Sequence, residues 1–193
     1  PLDEYTGMVN KYITNVSSDF EVDDELGETK ARDGAIATIG GLITEKTIKT
    51  TKKGQLMAFL TVEDVVGTVE VVVFPNSFTA NRVVIDHAEK VFVTGKVQAN
   101  VDENAKLICD KVVDFASIPR KLWIRFASLS DYEDKKDELY GILYNSDGKD
   151  TVVIYCTKEN KRLTLPASRT IRVDSELIQK LQSMYGEKNV TTT

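Results

Sequence analysis

The residues best suited to chemistry lie between Lys52 and Phe74, in the stretch KKGQLMAFLTVEDVVGTVEVVVF. With Leu56–Val62 as a strand, alternation puts Met57, Phe59 and Thr61 on one face and Ala58, Leu60 and Val62 on the other. In the next run Glu70, Val72 and Phe74 share a face opposite Val69, Val71 and Val73. A glutamate is almost never turned into an apolar core, so Glu70 marks the outer face and carries Phe74 outward with it. Phe59 falls beside them on the paired strand. Lys46, Lys49, Lys52 and Lys53 stand just upstream as a lysine-rich loop, with only Glu45 opposing them. Exposed rings beside such a loop suit single-stranded nucleic acid: bases stack on the rings at about 1–3 kcal/mol each, and the lysines neutralise phosphates. The competing reading is a solvated lysine loop with Phe59 and Phe74 in the core, because a one-residue slip in register exchanges the two faces.

Other reactive types are sparse. A single histidine, His87, excludes a histidine metal cluster and argues against a histidine-based triad. Cys109 and Cys156 lack Cys-x-x-Cys spacing, so neither a disulfide framework nor a cysteine zinc site is expected, and both read as strand residues in a reducing cytoplasm. Asp23-Asp24 sits in a polar stretch, and Asp134 and Asp137 flank Lys135-Lys136 on a solvated helix face. Lys52-Lys53-Gly54 is no P-loop, because the upstream glycine and the following Ser or Thr are missing. No catalytic residue and no metal ligand is expected here.

These residues need elements to position them. The 193 residues are 41% hydrophobic, enough to fold, and no apolar stretch is long enough to span a bilayer. Of the net charge of −5, residues 1–30 hold eight acids against Lys11 and Lys30, so the remainder is close to neutral. Leu2, Tyr5, Met8, Val9 and Tyr12 have helical spacing, which predicts a short helix packed on something upstream. The acidic run that follows reads as a linker, giving residues 1–30 as helix remnant and linker. The opening at Pro1 suggests a piece of a longer chain.

Five β-rich runs come next: Ile36–Ile48, Leu56–Val62, Val69–Phe74, Lys90–Ala99 and Lys106–Phe115, with a helix between Asn76 and Ala88. Gly40-Gly41 offers the bend that a barrel's first strand requires. Three strands, a helix and two strands is the order of a five-stranded oligonucleotide-binding (OB) barrel, assigned to residues 31–117. After Ile118-Pro119 the pattern predicts a small α+β domain over 118–193. Its strands are Lys121–Ala127, Thr151–Thr157, Arg162–Leu165 and Thr170–Val173. A helix from about Asp131 to Tyr144 follows the first of them, and a last helix is capped by Asp174 or Ser175 and ended by Gly186. The fold class is mainly β with an α+β part. Residues 119–193 show no lysine–aromatic face like that around Phe59. Their apolar candidates Trp123, Tyr140 and Tyr144 suit a protein partner, or fill the core, the commoner fate for Trp123 on a strand.

Phe59, Asp64, Gly67, Glu70 and Phe74 sit in a frame similar to the anticodon-type OB fold, whose aromatic and post-turn Gln or Glu contact splayed bases. More closely, Thr51–Pro75 resembles the OB domain near the C-terminus of bacterial replicative DNA polymerase III alpha subunits. Pro1–Tyr5 resembles that family's segment leading from its helix-hairpin-helix region. The resemblance covers residues 1 to about 116, and beyond them rests on position and architecture. It implies a cytoplasmic parent that is a DNA-directed DNA polymerase, a nucleotidyltransferase of DNA replication. The parent's magnesium-holding carboxylates would lie upstream, with no cofactor in this part. It implies single-stranded DNA, the clamp-loader tau subunit and the rest of the alpha subunit as partners, with tau on the C-terminal domain. Two alternatives stand: the RNA-binding OB module of an aminoacyl-tRNA synthetase, and an OB-fold protein-interaction module.

Overall fold

In the computed structural model, residues 6–145 and 147–193 are described, and they divide into two units at Ser117 and Ile118. The first unit opens with a short helix, α1 (Thr6–Tyr12). Met8 is buried and the Tyr12 ring lies 5.5 Å from that of Phe92. The helix expected to pack on something upstream therefore packs here. Pro1–Tyr5, with its part of the resemblance, lies outside the described residues.

Fifteen residues without proline form β1 (Ile36–Thr50). Its first half pairs with β4 (Lys90–Gln98) and its second with β2 (Leu56–Glu63), both antiparallel. The handover needs glycine. A Cβ on Gly41 would strike the Glu63 carbonyl, and one on Gly40 would stand 2.8 Å from the Phe92 ring. β2 turns back into β3 (Thr68–Val73), which runs parallel to β5 (Lys106–Asp114), and β5 returns to β4. The result is a closed barrel in the order β1-β2-β3-β5-β4. Ala58, Leu60, Val62, Val69, Val71 and Val73 fill it, as alternation required. Between β3 and β4, α2 (Pro75–His87) turns Phe78 and Ile85 into the core. Asn81 satisfies its buried amide on Asp110 O and Val112 N. His87 ends this helix exposed. Cys109 is buried in the barrel, and burial, helped by Asp110, pushes its thiol up to about 12.

The acidic stretch is not a free linker. Phe20 is 1% exposed inside the barrel cluster, and Ala31 joins it. The Phe20 carbonyl accepts from Ala105 N (2.8 Å), and Asn104 Oδ1 accepts from Val22 N (2.9 Å). Phe20 is thus one of several anchors that hold this polar segment on the barrel. Asp64, in the β2–β3 turn, fixes its start. One carboxylate oxygen accepts from Ser17 N (2.7 Å), and the other from Ser17 Oγ (2.7 Å), Val66 N (2.8 Å) and Gly67 N (2.9 Å). Burial works to raise the Asp64 pKa, but these hydrogen bonds outweigh it and hold the group below the ordinary aspartate value. A depressed carboxylate contributes stability above its unfolded pKa and loses it as pH falls through the folded one. Urea midpoints should therefore favour the wild type over Asp64→Asn at neutral pH and converge below about pH 4. Parallel pH profiles for the two proteins would contradict this account of the turn.

The second unit is built on β6 (Lys121–Phe126) and β7 (Thr151–Cys156), parallel and joined by the crossover helix α3 (Leu129–Leu143). β8 (Lys161–Thr164) pairs antiparallel with β7. Ser128 caps α3 and accepts from Asp131 N. Asp174, not Ser175, caps α4 (Ser175–Tyr185), accepting from Leu177 N, and Gly186 follows at φ 91°. The strand expected at Thr170–Val173 is reduced to a bridge between Ile171 and Asp150. The Asp150 carboxylate takes Val173 N (2.8 Å) and Arg120 N (2.8 Å), which holds that segment by side chain instead of by a ladder. A strand the pattern missed, β9 (Val190–Thr192), completes the sheet in the order β8-β7-β6-β9. Leu122, Ile124, Phe126, Val152 and Ile154 face the helices. Trp123 does not. It stands half-buried on the opposite sheet face.

Candidate nucleic-acid interface

The outward positions of β1, β2 and β3 form one floor. Phe59 lies between Thr47 of β1 and Val72 of β3, and Thr61 between Glu45 and Glu70. The acidic segment contributes Glu21 to one side. The β4–β5 turn and the start of β5 contribute Asn104 and Lys106, because parallel pairing sets β5 against β3. These elements bound an open groove of about 580 Å³.

Its polar groups are arranged in pairs around the ring. Lys49 Nζ stands 5.1 Å from the centre of the Phe59 ring. Lys106 Nζ lies 3.1 Å from Glu70 Oε1, and Thr61 Oγ1 donates to Glu45 Oε2 at 3.3 Å. A half-buried ring with a cation over it can stack a base while the cation meets the adjoining phosphate. Carboxylates at the same level can accept hydrogen bonds from exocyclic amino groups of bases. The groove therefore combines a stacking platform with acceptors.

The expected site residues divide. Phe59, Glu70 and Lys49 meet in the groove. Lys52 and Lys53 form the exposed tip of the β1–β2 hairpin, closed by Thr51 N to Gln55 O at 2.8 Å and by Gly54 at φ 78°. Lys46 is elsewhere. β1 continues to Thr50, so Lys46 and Lys49 are strand residues three apart and point to opposite faces. The Lys46 ammonium donates to Ile85 O at 3.0 Å and lies 3.9 Å from Asp86, at the last turn of α2, where a cation complements the helix dipole. The lysine-rich loop is thus a two-lysine hairpin tip plus one groove lysine. Phe74 is outward as expected, 48% exposed, but it serves as the residue before Pro75 at the start of α2 and does not line the groove. Glu21, Asn104 and Lys106 escaped the sequence reading, since each arrives from a distant segment and none has a local pattern.

Comparison with known proteins adds a second line. The family described as OB-fold nucleic acid binding domain matches residues 37–114. The DNA polymerase III subunit alpha of Bacillus subtilis (strain 168) is 31% identical over 160 residues, covering 79% of this chain and 14% of that protein. The corresponding subunit of Halalkalibacterium halodurans is 25% identical over 198 residues, covering 100% of this chain and 17% of that one. That of Aquifex aeolicus (strain VF5) is 26% identical, covering 95% and 16%.

This chain is a relative of the bacterial DNA polymerase III alpha subunit.

It spans between 14% and 17% of the length of those alpha subunits. The similarity to alpha subunits from Halalkalibacterium and Aquifex runs through both units, well past the OB match. Among the described residues no three His, Cys, Asp or Glu side chains gather as a metal site would require. Among these residues no helix is long and apolar enough to cross a membrane.

Proposed function

We propose that the barrel holds single-stranded DNA as a non-catalytic part of a replicative polymerase alpha subunit, guiding the unpaired template toward an active site carried elsewhere in the parent protein. The observation that carries this reading is the Phe59 ring under Lys49 in an open groove on the outer face of β1–β3, beside a lysine hairpin tip. On the resemblance of its position, the second unit would tether the polymerase to the clamp-loader tau subunit.

The test is a fluorescence anisotropy titration of labelled dT16 with the whole chain. Binding should be measurable at low salt and weaken steeply as salt rises, because released counterions drive it. Duplex of the same length should bind less well, since its bases are not free to stack. No anisotropy change at high protein concentration would reject the reading. Tighter binding of an RNA oligomer than of its DNA counterpart would favour an RNA-reading barrel instead.

A further inference from the structure

The second unit was not expected to offer an aromatic and basic face, yet its sheet has one. Helices α3 and α4 pack on one side, where Leu122, Ile124 and Ile154 are buried. The other side presents Lys121, Trp123 and Arg125 from β6, Tyr155 from β7 and Arg162 from β8. Trp123 and Tyr155 are diagonal neighbours, because Trp123 pairs with Val153 and Arg125 with Tyr155. The guanidinium of Arg162 stands 5.8 Å from the Trp123 ring centre, and that of Arg125 6.0 Å from the Tyr155 ring centre. Trp123 Nε1 donates to Thr193 Oγ1 at 3.0 Å, which fixes the indole's orientation and leaves its ring beside a shallow pocket of about 170 Å³ that Lys188 also lines.

The strands of this sheet carry no acid. Residues 119–193 carry eleven acids, five of them between Asp131 and Glu138 on α3. None occupies an outward position of β6, β7, β8 or β9 on the open face. Among the described residues, Lys121, Arg125, Arg162 and Lys188 form no ion pair with a carboxylate. A four-stranded sheet with two aromatic rings framed by cations, and with no acid among them, complements a ligand of flat rings joined by phosphates.

We infer that this open sheet face is a second binding surface for single-stranded nucleic acid, separate from the Phe59 groove, with Trp123 and Tyr155 stacking bases and Arg125, Arg162, Lys121 and Lys188 meeting phosphates. It goes beyond the barrel reading and does not depend on it.

Trp123 is the only tryptophan in the chain, so its emission reports this face alone. The whole chain is titrated at low salt with labelled dT16, following both tryptophan emission and anisotropy. Emission should be quenched as dT16 binds. The double variant Arg125→Ala/Arg162→Ala changes two exposed side chains, and it should need roughly tenfold more oligonucleotide for half-quenching, with a salt slope lower by about 1.4. Phe59→Ala should leave the quenching curve in place. Unchanged emission at concentrations that saturate the anisotropy overturns this inference and leaves the barrel reading standing. Quenching together with anisotropy indifferent to Phe59→Ala supports the inference and removes the barrel reading. Polyglutamate that quenches as strongly as dT16 overturns it in favour of an acidic protein partner.

Discussion

Phe59→Ala is expected to weaken binding of dT16 at the barrel groove by roughly five- to 150-fold, the loss of one base–ring stack worth about 1–3 kcal/mol. The ring is on the outside of the barrel, across from Thr47 and Val72, so its removal takes nothing from the core cluster. Thermal melting should therefore change little while affinity falls. Phe59→Leu separates stacking from simple apolar cover: leucine restores the volume but not the π-face, and should bind like alanine. Lys52→Ala/Lys53→Ala should act differently. On the proposed function these two exposed tip charges would neutralise two phosphates, so the log–log slope should drop by about 1.4 with a smaller loss at low salt. Equal salt slopes in wild type and the double variant would show that the tip lysines do not meet the strand.

The second large effect is on stability. Phe20→Ala should cost about 3–5 kcal/mol, as for a phenylalanine removed from a packed core. The side chain is 1% exposed among barrel residues, and the backbone around it is tied to Ser17 and Ala105. Against a typical total of about 5–15 kcal/mol, this is a major fraction. Urea unfolding followed by circular dichroism measures it directly. A cost below about 1 kcal/mol would mean that the acidic segment is an accessory to the barrel and not part of its core. The variant also bears on binding, because Glu21 follows Phe20 into the groove wall. Releasing the segment would withdraw one carboxylate from the path of the strand.

Much of the barrel was legible because its signals are local. Alternation in Leu56–Val62 and Val69–Val73 separates core from surface, and Glu70 alone orients both strands. Gly40-Gly41 announced the bend at which β1 changes partner. What escaped depends on distant pairing or on a single residue. Phe20 is one ring in a stretch whose average composition speaks for solvent. Lys46 was grouped with its neighbours by sequence proximity, although strand parity sends it to α2. β9 is three residues long, too short to show a period. The open face of the second sheet draws Trp123, Tyr155 and Arg162 from three strands, and only the register β8-β7-β6 makes them neighbours. Trp123 was open between a partner surface and the core, the commoner fate on a strand, and the same alternation that buries Leu122 and Ile124 turns it away from the core.

The closure of the first sheet also decides how copies of this chain can associate. Closure leaves the barrel without a free end strand, although each half of β1 is paired on one side only, and so limits the templating of another chain by edge-to-edge growth. The second sheet is open, and its borders are β8, with four residues, and β9, with three. Borders that short supply few ladder bonds to an incoming strand, which keeps runaway sheet extension unfavourable although the chain carries many valines and isoleucines.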